Sequence, residues 1–317
     1  MGCAKKRINP NIVNHINRNF NELYTKQVIK AVKQLPLPWK YCKKGRRGHD
    51  SKEVAAGCIL KEGFNLTYDG IEAYLKESET FKKYFDDLPG HSVIHRGMKK
   101  LSIKYIRKVM NRVTQFLRRK AMNIAVDSTG FRTGNSSIWY DIRIRRRNKR
   151  KDCLKLHISV DVDTGVIHDF TMTSWNHYDS KEFEQLIKNL PDLGATFGDK
   201  GYSSRRNCQL VADKNGVPYL LFKDNTTSKS KGKPAWIISF RTYRNDTEEW
   251  LSVYHLRSIV EGVFSSIKRR WRSYLLSKKQ WMQKKELSLK VLSYNVKQVL
   301  MVQHAMKCRI PLWKTIE

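Results

Sequence analysis

The sequence predicts a mixed α/β fold preceded by a helical, basic N-terminal part. Three observations lead there. Of the 317 residues, 40% are hydrophobic and 11% aromatic, enough to build a sizeable core. At Met122 the texture changes from helical spacing to short β-branched runs broken by turn residues. Two long amphipathic stretches then close the chain. At about 150 residues per domain, the length suggests two domains. We place them at 1–120 and 121–317.

Composition narrows the partner. Lys plus Arg number 62 and Asp plus Glu 29, a formal charge of +33. Such self-repulsion costs stability and is best explained by a polyanion. Nucleic acid comes first and an anionic membrane surface second. The six cysteines, at 3, 42, 58, 153, 208 and 308, form no C-x-x-C pair. That excludes a zinc knuckle and a disulfide scaffold and points to a reduced, cytoplasmic setting. No apolar run approaches the ~18 residues of a membrane span. The start lacks the apolar core of a signal peptide.

Along the chain, a helix over about Phe20–Gln34 ends at Leu35-Pro36-Leu37-Pro38, since proline breaks the ladder. Four helical stretches follow, opening near Ser51, Tyr68, Ser92 and Ile103. Short helices with tight joints and many cations suit a helix-turn-helix-like DNA reader, or else a helical subdomain with a solvated basic face. Met122–Asp127 is a short buried strand ending in a carboxylate. Leu154–Asp161 alternates as a second strand. Asp163-Thr164-Gly165 turns the chain, and Val166–Thr173 returns as the third. Asp179-Ser180-Lys181-Glu182 reads as a capping box opening a helix to Leu190. A brief strand, Ala195–Phe197, runs into Gly198-Asp199-Lys200-Gly201. Ser203 or Ser204 caps a helix to Asp213, and Val217–Phe222 is the fifth strand. Residues 223–247, polar and without period, read as a loop. Helices over Thr247–Trp271 and Lys284–Lys307 finish the chain.

Three carboxylates stand out. Asp127 and Asp199 both end predicted strands, where sites collect in open α/β sheets. Two buried carboxylates need solvent or a cation, and Mg²⁺ with oxygen ligands is the natural neutraliser. For Asp199, between two glycines, a turn-forming role is the alternative. Tyr254, Arg257, Glu261 and Lys268 fall within roughly a 60° arc of one helix face. The apolar stripe of Leu256, Val260, Val263, Phe264, Ile267 and Trp271 lies on the order of 100° away. An ordinary amphipathic helix with i,i+4 ion pairs would look the same.

These residues carry a resemblance. The chain resembles a DDE transposase of a prokaryotic insertion sequence, of the group marked Y-(2)-R-(3)-E-(6)-K. That signature stands here as Tyr254, Arg257, Glu261 and Lys268, with every spacing met. Ile124-Ala-Val-Asp127-Ser-Thr-Gly130 and Phe197-Gly-Asp199-Lys-Gly-Tyr202 are similar to the family's two aspartate motifs. Leu154–Gly165 and Asn176–Ser180 also resemble family text. The likeness spans about residues 121–300, and less sharply 51–120.

The resemblance implies an RNase H-like fold: a mixed five-stranded sheet with flanking helices, preceded by a helical N-terminal DNA-binding region. It implies that Asp127, Asp199 and Glu261 are the catalytic carboxylates and the ligands of two Mg²⁺ or Mn²⁺ ions. It implies cutting of the element's own ends, joining of 3′-OH ends to target DNA, and a homodimer in the synaptic complex. Double-stranded DNA, as terminal inverted repeats and target, would be the partner, and the nucleoid the place of action. Arg257 and Lys268 would hold phosphates, and Tyr254 would hydrogen-bond one near the cut.

Arg143, Arg145, Arg146, Arg147, Lys149, Arg150 and Lys151 make a basic loop between the first two strands, suited to neutralising a nucleic-acid backbone. A solvated hairpin tip is the alternative. Asp161 and Asp163 read as turn formers, with Asp161 the runner-up metal ligand. Asp179 reads as a cap, Asp141 as a partner for the basic loop, and His157 and His177 as satisfied structural histidines. Trp139, Trp175 and Trp236 read as core before base-stacking. A decayed transposase that only binds DNA, or a structure-selective nuclease of the same fold, are the rival functions.

Overall fold

The computed structural model describes residues 6–40, 48–85, 87–133, 143 and 153–315. In chain order the elements begin β1 (Lys6–Ile8), α1 (Pro10–Arg18), α2 (Phe20–Lys33), α3 (Ser51–Gly63), α4 (Tyr68–Glu77), α5 (Glu79–Lys82), α6 (His91–Lys100) and α7 (Ile103–Thr114). Then come β2 (Ala121–Arg132), β3 (Cys153–Asp161), β4 (Ile167–Ser174), α8 (Phe183–Ile187), β5 (Asp192–Gly198), α9 (Arg205–Ala212) and β6 (Val217–Leu220). Last are α10 (Pro234–Asn245), α11 (Thr247–Tyr254), α12 (Ile259–Trp271), α13 (Gln280–Cys308) and β7 (Trp313–Thr315). Among the described residues no helix is long and apolar enough to cross a membrane.

The chain forms two compact units, one of residues 118–269 with 273–276, the other of 4–117, 270–272 and 277–317. This differs from a division into 1–120 and 121–317, because α13 groups with the N-terminal helices. The physical reason is that α13 is buried nearly all round, with Leu287, Leu289, Val291, Leu292, Val296 and Val299 inaccessible to water. A helix buried on every side, here with Ser288, Lys290, Asn295 and Gln298 inside as well as its apolar residues, is the centre of a packed core rather than a cover.

Within the helical unit, α2, α3 and α7 pack against α13. Tyr24 donates to Ser293 Oγ at 2.9 Å. The helix starts are capped as their sequences promise: Asp50 accepts from Lys52 N–H at 2.8 Å, Thr67 from Gly70 at 3.0 Å, and Ser102 from Tyr105 at 3.1 Å. Each satisfies a donor that the helix leaves open. Helix α6 sits close on α3 at Gly97, where an added Cβ would meet Val54 Cγ1 at 2.2 Å. Helix α1 was not foreseen. Asn9 caps it and Pro10 opens it, a start signal hidden in a stretch that composition marks only as polar.

In the other unit the sheet order is β4-β3-β2-β5-β6. Strands β2, β3 and β4 pair antiparallel, while β2 pairs parallel with β5 and β5 with β6. This is the mixed five-stranded sheet of an RNase H-like fold. One face carries Met122, Ile124 and Val126 of β2 in a core with Phe183, Leu186, Tyr202, Val211, Leu220 and Trp236.

Two expectations are corrected. Residues 223–247 are not all loop, because α10 occupies Pro234–Asn245. Trp236, Phe240 and Tyr243 recur at i, i+4 and i+7 and pack on that core, a helical period diluted by the charges around it. The predicted helix Thr247–Trp271 is also broken. A 3₁₀ turn at His255–Ser258 separates α11 from α12.

Candidate active site

Parallel pairing of β2 with β5 sets Val126 opposite Gly198. The next residues, Asp127 and Asp199, therefore stand side by side where β5 ends. Strand β2 does not end at Asp127, as the sequence suggested. It continues to Arg132, paired with β3 and, at Arg132, bridged to Tyr274. Residues alternate across a strand, so Asp127 and Thr129 face one side of the sheet while Val126 and Ser128 face the other.

The segment from the 3₁₀ turn into α12 covers the Asp127 face. Arg257 donates through Nη1 to Asp127 Oδ2 at 2.8 Å and through Nη2 to Glu261 Oε1 at 2.9 Å. One guanidinium thus spans two of the three carboxylates. Lys268 donates to Thr129 Oγ1 at 2.6 Å, one turn of the pleat beyond Asp127. Asp199 Oδ1 accepts from Gly201 N–H at 2.9 Å. That is a turn-forming bond, and it orients the carboxylate beside Asp127.

Burial pushes the Asp127 carboxyl up to about 6. The negative charges of Asp199 and Glu261 push the same way, while the Ser128 N–H and Arg257 pull it down. Such a raised acid marks a place where charge is held against solvation, a common property of catalytic sites.

Tyr254 sits beside Arg257 at the site, although a 3₁₀ turn separates its helix from the one that carries Glu261 and Lys268. Its ring is buried and stacks on Trp250 with centroids 5.3 Å apart and planes 16° apart. Arg257 lies over its other surroundings, with Cζ 5.8 Å from the ring centre. Residues three apart eclipse in a 3₁₀ turn, which brings Tyr254 and Arg257 onto one side. The ring thus lies between Trp250 and Arg257, with its hydroxyl bonded to Arg257, and Tyr254 stays with Arg257, Glu261 and Lys268 at the carboxylate side.

The remaining candidates divide. Arg143 is exposed, whereas Arg145, Arg146, Arg147, Lys149, Arg150 and Lys151, with Asp141 and Trp139, lie outside the described residues. Asp161 is fully buried and held by Arg119 Nη2 at 2.8 Å and by Thr164 Oγ1 at 2.6 Å, so it serves the turn and not the site. His157 is satisfied by Tyr202 and Thr173. Trp236 is core, its Nε1 donating to Thr227 O at 3.0 Å, while Trp175 is 43% exposed. Asp179 is not the cap: it is the first residue of the 3₁₀ turn Asp179–Lys181, whose N-cap position is Tyr178. It pairs with Lys155 instead.

The donor set of Asp127, Asp199 and Glu261 is all carboxylate oxygen, the chemistry that hard cations such as Mg²⁺ prefer. Among the described residues, no three His, Cys, Asp or Glu side chains gather closely enough to hold a metal as they stand. Arg257 supplies the positive charge between Asp127 and Glu261. A cationic side chain thus bridges two of the acids, and the donor chemistry is that of a hard divalent ion.

Residues 119–296 match the family model described as a transposase DDE domain. That stretch contains every residue of the site. No curated protein matches. Among solved structures, the chain is similar to a piggyBac transposase synaptic complex with hairpin DNA, determined by cryo-EM. The TM-score is 0.48 at 7% identity, over 93% of this chain and 74% of that one.

Proposed function

The chain belongs to the family of transposase DDE domains, and from that premise we propose that it cuts the ends of its own insertion sequence and joins the freed 3′-OH ends to target DNA. The Y-(2)-R-(3)-E-(6)-K signature places it, in this reading, among the transposases of prokaryotic insertion sequences. The observation that carries the reading is the convergence of Asp127, Arg257 and Glu261 through one guanidinium, beside Asp199 on the adjoining strand.

Asp127, Asp199 and Glu261 would hold the metal. When bound, a pair of Mg²⁺ or Mn²⁺ ions supplies a nucleophilic water and stabilises the charge on the leaving 3′-oxygen. Arg257 exchanges a carboxylate for a DNA phosphate, to which its planar fork is suited. Lys268, tied to Thr129, adds a fixed positive charge beside it. Tyr254, stacked on Trp250 and bordered by Arg257, hydrogen-bonds a phosphate near the cut. The basic stretch from Arg143 to Lys151 neutralises the backbone of the bound duplex. The N-terminal helices read the terminal repeats, and two ends are brought together by a homodimer.

The test is cleavage of linear DNA carrying the sequences that flank the gene, with Mg²⁺, by the wild type, Asp127→Asn and Asp199→Asn. We expect cuts at the element boundary by the wild type, lost in both variants while DNA binding persists. Undiminished cleavage by the variants contradicts the assignment. Shifted complexes without any metal-dependent cutting by the wild type would favour a transposase that only binds DNA.

A further inference from the structure

Asp179 stands at the start of a short 3₁₀ turn, where a helix cap is the ordinary role for an aspartate. Its carboxylate does something else. It pairs with Lys155 of β3, and its Oδ2 accepts from Ser128 Oγ at 3.4 Å. Its Oδ1 lies 3.7 Å from Nδ1 of the buried His157. Lys155 and Asp179 are only 16% and 17% exposed, so water replaces little of the pair's attraction.

One of these contacts reaches the strand that carries Asp127, and the other two tie Asp179 to β3, its antiparallel neighbour. Ser128 follows Asp127 and points to the opposite face of β2. Asp179 therefore grips this strand from behind Asp127. On the other side lies the Gly201 turn. A Cβ built on Gly201 would be 3.1 Å from Asp199 Oδ1 and 3.3 Å from Asp179 Oδ2. The two carboxylates thus flank one backbone atom, and a side chain there would crowd both. Asn207, buried beneath, donates to Tyr202 O at 2.7 Å and to Ser180 O at 3.2 Å. It clamps the residue after Asp179 to the residue after Gly201. His157 links the same parts, with Nδ1 3.1 Å from the Tyr202 hydroxyl.

We propose that Asp179, paired with Lys155, is a positioning residue for Asp127 and Asp199, fixing the strand and the turn that aim them at a common divalent ion. It touches neither carboxylate's reacting side and takes no part in the chemistry. The inference rests on the reading of Asp127 and Asp199 as metal ligands.

The test is Mn²⁺ binding to the full chain, by calorimetry or electron paramagnetic resonance, for the wild type, Asp179→Asn, Asp179→Glu, Lys155→Met and the double variant Asp179→Asn/Lys155→Met. Loss of an outer partner of a metal ligand costs about 10–100-fold in affinity, and we expect that loss in Asp179→Asn and in Lys155→Met. The double variant should be no weaker than the singles, because the two residues act as one pair. Asp179→Glu should recover part of the affinity. Thermal melting identifies any variant that fails to fold. Ser128→Ala, which removes a single contact without changing charge, then takes its place, with a several-fold loss expected. Wild-type affinity in Asp179→Asn, or in Ser128→Ala where that stands in, overturns this inference alone. Absence of Mn²⁺ binding by the wild type overturns it together with the metal site on which it rests.

Discussion

Asp127 shows how one side chain reports on its surroundings. Its carboxyl is raised from 3.8 to about 6, so in the metal-free protein its ionisation opposes folding. Below 3.8 both folded and unfolded chains hold the proton, and nothing is lost. Between 3.8 and about 6 the unfolded chain ionises first, and stability falls with rising pH. Above that window the loss is constant, about 3 kcal/mol for a shift of this size. Metal-free Asp127→Asn should therefore melt higher than the wild type at pH 8 and equally at pH 3.5. A variant that melts lower at pH 8 would show that the Arg257 pair outweighs desolvation. The acid itself was legible in sequence, because an apolar run ending in aspartate reads as a strand delivering a carboxylate. Asp179 was not, because Asp-Ser-Lys-Glu is also the text of a capping box. Its partner, Lys155, lies 24 residues away on a neighbouring strand, a contact that no local pattern announces.

Elements rather than single residues decide where Tyr254 points. Sequence spacing placed Tyr254, Arg257, Glu261 and Lys268 on one face of one helix; the helix is broken between Tyr254 and Glu261, yet Tyr254 remains against Arg257. The 3₁₀ turn at His255–Ser258 was illegible, since no proline or glycine marks it. It is imposed by packing, with Trp250 stacked on Tyr254 and edged by Tyr243 at 5.1 Å. Trp250→Ala should remove that wall. We expect a loss on the order of 3–5 kcal/mol, read as a lower denaturation midpoint of the sheet-containing unit. Residual folded protein should cleave more slowly, because Arg257 is no longer braced. Helix α10 was missed for a different reason. Its apolar period is real, but it lies beside a Lys/Ser-rich run that dominates the average. In the helical unit, Gly97→Ala tests the close approach of α6 to α3. A methyl 2.2 Å from Val54 forces the helices apart, and a destabilisation of about 1–3 kcal/mol is expected. An unchanged melting temperature would mean that Val54 moves freely.

Over the whole molecule, charge is the clearest message of the sequence, and +33 agrees with membership of a family that acts on DNA. The sheet was legible because its strands are short, β-branched and separated by turns, and their order follows from the parallel return of β5 beside β2. The grouping of α13 with the N-terminal helices was not legible, since it depends on contacts between residues 187 and 269 positions apart. If the helical unit reads the terminal repeats, its exposed cations set the salt dependence. Lys99, Lys104 and Lys108 are exposed along α6 and α7. Replacing all three by Ala should reduce the slope of log Kd against log salt by roughly 3 for element-end DNA. An unchanged slope would move the binding surface elsewhere. The claim on which everything else depends is that Glu261, the most exposed of the three acids, completes one site with Asp127 and Asp199. Mg²⁺-dependent cleavage of element-end DNA by the wild type and Glu261→Gln, side by side at equal DNA occupancy, tests it most directly. Cutting at the element boundary by the wild type and none by Glu261→Gln is the predicted result, and equal cutting by both would contradict it.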